Sequence, residues 1–499
     1  MVESHPVNRK KAFNMLFFIE FWERFGYYGL QAVLAGFFVK ALGMEDAESF
    51  VVFGAFSAMV YGYVSLGGFL GDKILGTQRT ITLGAVVLMI GYAMMALAGA
   101  DKTMVFLALG AIACGNGIFK ANPSSLLSKL YEGDEKDLDS AFTMYYMAVN
   151  IGSFISMLLV PIIGAQYGLS LGFMICAMGL ILAVGGFLGF RYLVRGIDSP
   201  AGAEPLTMKK IVLTLVGVVV MTVFSSWLLS HLSVAHWLLF IIGVLVYGVF
   251  FKMIIQAKGA ERSHMAAAMI LIVEAIIFFT LYQQMPTSLN FFAIKNVEHS
   301  VLGIAIPNAE VFQTLNPFWI MLASPVLAWA YSHFGSEGKD LSMPAKFALG
   351  MLLTAGSFLV VGFSANFANE AGIVSAWWLI GSYFLSSIGE LLISGLGLSM
   401  ISKLVPQKLI GFLMGAWFLT TSIAAILGGW VATLTTVSKD VVDPLQTLPV
   451  YSKVFTQIGL VTLGVTIIMA LTVPMLNRLI NKKDEEAFEG EPKAAVADK

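Results

Sequence analysis

From residue 14 to residue 480 the chain consists of successive apolar runs, each about 20 residues long and so able to cross a hydrocarbon core roughly 30 Å thick as one helix. Lipid offers no partner for a backbone N–H or C=O, so runs of this kind fold as spanning helices packed against one another. They fall at 14–40, 50–71, 80–100, 104–127, 140–166, 170–192, 209–230, 236–256, 266–293, 311–332, 346–365, 374–402, 409–436 and 454–480. Composition agrees, with 58% hydrophobic and 12% charged residues. A net charge of −1 gives no electrostatic footprint for nucleic acid. Cys114 and Cys176 both lie in apolar runs, lack metal-ligand spacing, and read as small packing residues. The first run follows Arg9, Lys10 and Lys11 but has no small-residue cleavage site, so it reads as a retained span.

Charge outside the runs sets the orientation. Twenty-one Lys and Arg residues, among them Arg9, Lys73, Arg79, Lys129, Arg191, Arg195 and Lys408, fall on the side of the N-terminus. Five, Lys40, Lys102, Lys295, Lys439 and Lys453, fall on the other. The positive-inside rule then predicts cytoplasmic termini and an even number of helices. Polar loops at 193–208 and 257–265 divide the runs six, two and six. The expected organisation is an N-terminal six-helix bundle (1–192), a linker with two accessory spans (193–264), a C-terminal six-helix bundle (265–480) and a charged cytoplasmic tail (481–499). The two accessory spans hold no intramembrane charge and are expected to face lipid.

A few charges stand inside the runs. Glu20, Glu23 and Arg24 share the first with Tyr27, Tyr28 and Gln31, and at about 100° per residue all six stay within an arc of roughly 140°. A central charge costs roughly 2.5 to 3.5 kcal/mol on an insertion scale, and such groups face a bundle interior or an aqueous path. Lys120, in GNGIFKANPSS, has two readings: a side chain snorkelling to the interface, or a cation opposite Glu20 or Glu23 that can exchange its carboxylate partner for a substrate carboxylate. Asn122-Pro123 beside it marks a helix irregularity. Asn150, in Tyr145-Tyr146-Met-Ala-Val-Asn150-Ile-Gly152, is an amide at membrane depth, either a ligand contact or glue between helices. Glu390, in the run 374–402, has no local cation and calls for a cationic ligand or a distant partner. Where the second run reaches the terminus side, Gly67-Gly68-Phe-Leu-Gly71-Asp72-Lys73, then Gly76 and Arg79, combines packing glycines with an Asp suited to helix-end amides or to pairing with an Arg.

The segment Gly67–Arg79 resembles the loop signature of the major facilitator superfamily. Glu20-x-x-Glu23-Arg24-Phe25-x-Tyr27-Tyr28, Lys120 and Tyr145-Tyr146-x-x-Val149-Asn150-x-Gly152 resemble the signature motifs of the proton-dependent oligopeptide transporter family, and within it the chain is most similar to bacterial di- and tripeptide permeases. The likeness covers essentially the whole chain; Tyr145 and Val149 stand where the family pattern has Phe and Ile.

The resemblance implies an all-α membrane protein of the major facilitator fold, two six-helix bundles plus two accessory helices, fourteen in all. It implies a symporter that imports di- and tripeptides with protons across the bacterial inner membrane, without any other cofactor, metal or catalytic residue. Its partners are then peptides and membrane lipid, with no nucleic acid and no obligatory protein. The implied substrate pocket comprises Arg24, Tyr27, Tyr28, Gln31, Tyr61, Lys120, Asn150, Gln313, Asn316, Glu390, Ser394, Trp417 and Thr421, with Glu390 holding the peptide ammonium. Proton coupling falls to Glu20, Glu23, Arg24 and Lys120, because His5, His231, His236, His264, His299 and His333 all lie in loops, the tail or span ends. Asp72, Glu274 and Gln284 are structural or gating candidates.

Two departures qualify the likeness. Gln283-Gln284 stands where many relatives carry an acidic residue, which leaves an Arg24-to-carboxylate gate open to question. Glu274, nearly three turns earlier, serves either a cytoplasmic-side contact or a structural pair. Gln31 replaces an Arg of some relatives and removes one cation. Readings of other kinds are a proton-linked exporter, a nitrate-like anion carrier or a membrane receptor; an anion would leave Glu390 without a purpose, and the chain offers no signalling domain.

Overall fold

The structure, a computed structural model, describes residues 8–336, 340–438 and 441–482. Beyond Lys482 the tail lies outside them. Helix α1 runs Arg9–Lys40, 32 residues, started by Asn8, whose side chain accepts from Lys11 N. Thirteen further helices among the described residues are long and apolar enough to cross a membrane. They are α2 (Asp46–Leu75), α3 (Thr77–Ala98), α4 (Lys102–Leu130), α5 (Glu135–Tyr167), α6 (Leu169–Phe190), α7 (Met208–Ser230) and α8 (Leu232–Gln256). After them come α9 (Gly259–Tyr282), α10 (Leu315–Ser336), α11 (Met343–Ser364), α12 (Ala376–Leu404), α13 (Ile410–Thr433) and α14 (Pro444–Ile480).

Helix ends follow local chemistry. Asp101 accepts from Thr103 N and Met104 N at the start of α4, and Asp443 from Leu445 N at the start of α14, where Pro444 needs no donor of its own. One expected span is interrupted: 266–293 is not one helix, because α9 ends at Tyr282 and the chain turns through Gln283–Thr287, around Pro286, before a short helix Ser288–Asn296. A proline lacks the N–H to continue the ladder and clashes with the preceding turn. Gln284 bridges the break, its Nε2 donating to Thr280 O at 3.1 Å and Gly428 O at 3.0 Å while its Oε1 accepts from Ser288 Oγ at 2.7 Å.

Helices α1–α6 pack together, as do α9–α14, and the two halves meet on the side away from the chain ends. There Lys40 pairs with Glu310 at 3.5 Å and Lys295 with Asp46 at 2.5 Å. Asn308 Nδ2 donates to Pro161 O, Gln313 Nε2 donates to Ala32 O, and Phe50 meets Phe291 edge-on at 4.7 Å. The seam of α2 on α13 is glycine-tight: a Cβ on Gly54 would sit 2.7 Å from Ala425 O. Helices α7 and α8 face outward as expected, yet they also touch both halves. Ser225 of α7 bonds Tyr63 of α2 at 2.8 Å, and Tyr247 of α8 bonds Thr420 of α13 at 2.7 Å.

Candidate functional site

The first-helix stripe does face one interior space, and three helices converge on its charges. Arg24 lies between two carboxylates: it ion-pairs with Glu23, its Nε donating to Glu23 Oε2 at 2.5 Å, and lies 3.4 Å from Glu20 Oε1. Tyr145 of α5 donates to Glu20 Oε2 at 2.5 Å, and Asn116 of α4 donates to Glu23 Oε1 at 2.9 Å. All three charged groups are buried. Gly152 lets α5 approach, since a Cβ there would lie 2.6 Å from Phe21 O and 3.4 Å from the Arg24 side chain. A larger residue would push Tyr145 off Glu20.

Lys120 stands one turn beyond Asn116 on the same face of α4. It does not snorkel. Its Nζ lies 4.2 Å from the Tyr61 ring centroid, a cation–π contact, and no carboxylate pairs with it among the described residues. The nearby Pro123 has no N–H to offer Phe119 O, and beside it Asn122 Nδ2 donates to Ile118 O at 2.7 Å and to Gly67 O at 3.1 Å.

Across the interior, Glu390 of α12 is 8% exposed and its Oε2 accepts from Asn316 Nδ2 at 2.7 Å. Asn316 Nδ2 also lies 3.2 Å from Ser387 Oγ. Among the described residues no cation pairs with Glu390. The neighbouring Gly389 fixes its place, since a Cβ there would lie 2.6 Å from Gly350 O and so α11 and α12 nearly touch. Between the two charged groups lie tyrosines from both halves. Tyr28, Tyr61 and Tyr146 of the first half and Tyr282 of the second stand near Glu390. Tyr146 is 41% exposed.

Residues 78–453 match the model of the POT family. The chain is 52% identical over 495 residues to dipeptide and tripeptide permease A of Salmonella typhimurium, covering 99% of this chain and 98% of that protein. It is 50% identical to dipeptide and tripeptide permease B of Aliivibrio fischeri, covering 97% and 98%. The chain belongs to the POT family. Among solved structures, tetrameric PepTSo2 matches with a TM-score of 0.85 at 41% identity, covering 95% of this chain and 100% of that one. A peptide transporter POT solved in complex with sulfate matches with a TM-score of 0.82 at 30% identity, covering 96% of each chain. The fold is accordingly of the major facilitator type, and the chain is a multi-pass membrane protein.

Within this POT-family fold the remaining candidates take varied places. Tyr27 is fully buried, 5.5 Å from the Arg24 guanidinium and edge-on to Tyr28 at 5.2 Å. Asn150 donates back to Tyr146 O on its own helix, and Gln313 is committed to the seam through Ala32 O. Gln31 and Thr421 are buried, while Ser394 is partly buried one turn past Glu390. Trp417 packs edge-on to Phe279 at 5.9 Å and fills the space above Gly397. Glu274 is buried and its Oε2 has no hydrogen-bond partner. Among the described residues no ion pair engages it. Asp72 pairs with Lys129 at 3.8 Å; the helix-end amides it was expected to serve go to Asp198 instead, whose Oδ1 accepts from Thr77 N at 2.6 Å and Gln78 N at 3.4 Å. Sequence reading missed Asn116, Tyr282, Asp198 and the far-side pairs Lys40–Glu310 and Lys295–Asp46. Asn116 alone carried a signal, its four-residue spacing from Lys120.

Proposed function

We propose that this chain imports di- and tripeptides together with protons across the bacterial inner membrane, with both termini cytoplasmic and alternating access between the two halves. The observation that carries the reading is the division of charge: Arg24 and Lys120 belong to one half, and Glu390, without a cation of its own, to the other. A zwitterionic peptide spans such a site, its carboxylate towards Lys120 and Arg24 and its ammonium towards Glu390, and so bridges the halves. The permease names of its relatives support the same substrate class. An anion carrier would need the first half only.

Coupling follows from the cluster around Arg24. Protonation of Glu23 or Glu20 weakens their hold on Arg24 and frees cationic donors for the peptide carboxylate, while the bound peptide draws the halves together on the terminus side. Ligand and proton then bias one two-state rocking equilibrium. The far-side pairs Lys40–Glu310 and Lys295–Asp46 belong to the state with that side closed and must part in the other. Protons are the coupling ion, and no resident cofactor or catalytic group enters. In proteoliposomes, an inward proton gradient should accumulate labelled dialanine above equilibrium, and an uncoupler should abolish the accumulation. Uphill uptake persisting without any ion gradient would refute proton symport.

A further inference from the structure

On the terminus side a groove of about 380 Å³ opens to the surface between α1 and α6. Its floor is apolar, formed by Met15 and Phe18 of α1 and by Phe190 of α6, with Gly186 leaving room for the Phe18 ring. Lys11 and Asn14 stand at its rim. Tyr192, in the turn Arg191–Val194 that follows α6, forms a wall shared with a second cavity of about 640 Å³, which Arg191 and Arg195 line. No ion pair engages Lys11, Arg191 or Arg195 among the described residues. Arg191 donates its Nε–H to Gln78 Oε1 at 2.8 Å, which anchors the guanidinium and leaves its remaining donors free of carboxylates. Asp198 also lines the second cavity, but its Oδ1 is taken by the backbone amides of Thr77, Gln78 and Ser199.

We propose that this place binds one anionic phospholipid, with an acyl chain along Phe18, Gly186 and Phe190 and the phosphate held by Lys11 and Arg195 beside Arg191. Lys11 at the rim of an apolar groove, with Arg191 and Arg195 in the adjoining cavity across Tyr192, matches a ligand that carries a negative head and a hydrocarbon tail. Basic pockets between spanning helices recognise head groups in this way, and guanidinium–phosphate contacts are charge-assisted. A zwitterionic lipid offers the same tail without the net charge. The proposal is independent of which solute the protein carries.

The test uses the full-length protein, delipidated in detergent and examined by native mass spectrometry with phosphatidylglycerol, phosphatidylcholine or inorganic phosphate. The wild type should retain one phosphatidylglycerol in preference to phosphatidylcholine. Each cation near a membrane surface contributes about 1 kcal/mol, so the Lys11→Gln, Arg195→Gln double variant should hold phosphatidylglycerol about 30-fold less well. Asn14→Trp, which fills the groove and keeps every basic residue, should lose the lipid too. Equal retention of the two lipids by the wild type overturns the proposal whether or not the variants fold. Undiminished retention by either variant does the same, and displacement of the lipid by inorganic phosphate would mean an anion site without a chain-binding groove.

Discussion

In the N-terminal half Arg24 lies between Glu20 and Glu23, and each carboxylate has a further donor, Tyr145 or Asn116. In the C-terminal half Glu390 has one amide, from Asn316. Both sites are buried, yet the first sets a cation between its carboxylates, and among the described residues the second pairs with none. Breaking a buried pair leaves an uncompensated charge at about 3 to 5 kcal/mol, so the first half holds a network that a proton can perturb, while the second holds a vacancy that a cationic ligand or a proton can fill. On the proposed reading the halves divide the work: coupling on one side, capture of an ammonium on the other.

The comparison breaks most readily at Glu23. Glu23→Gln keeps shape but removes the titrating group from the Arg24 pair, and gradient-driven uptake should fall on the order of 100-fold, while exchange of labelled for unlabelled peptide persists. A variant that concentrates peptide like the wild type would move coupling to Glu20.

At Glu390 the expected loss is one of affinity. Glu390→Gln should weaken free dipeptides by about 2 to 5 kcal/mol, on the order of 30-fold or more, and N-acetylated dipeptides far less. Competition against labelled dipeptide uptake measures both, and equal losses would make Glu390 a gating or structural group. Lys120→Gln comes next. Arg24 remains as a cation, so the loss should be about tenfold, or 1.4 kcal/mol, and confined to peptides with a free C-terminus rather than their amides. Equal effects on acids and amides would take Lys120 out of the binding site.

Glu274 gives the smallest effect and the sharpest control, being a second buried carboxylate of the C-terminal half with an unpartnered oxygen. Glu274→Gln should leave uptake within about twofold and the thermal midpoint unchanged or higher, since a buried carboxylate oxygen without a partner contributes nothing to stability. Loss of gradient-driven uptake there would place a proton site in the second half and end the division of labour.

Much of this was legible in the chain. Fourteen helices follow from apolar runs because lipid demands internally satisfied backbone, and the stripe on α1 follows from helical periodicity because an intramembrane charge has to face inward. The break in α9 at Pro286 was written locally too, yet the run 266–293 hides it, since hydropathy does not register a missing N–H. Where tertiary structure alone decided, the partners are distant in sequence. Asn116 meets Glu23 across 93 residues and Tyr145 meets Glu20 across 125. Asp198 reaches back 121 residues to cap α3 at Thr77, a service the nearer Asp72 could equally have rendered by sequence. Gln313 and Asn150 show the converse: candidate amides that donate to backbone carbonyls, at Ala32 and Tyr146. The sequence by itself determined which groups must be hidden from lipid, because that cost is a property of each residue. Which of them were hidden against one another, and which were left, like Glu390, without a cation, depended on how the two halves packed, because pairing is set by distances that no local pattern encodes.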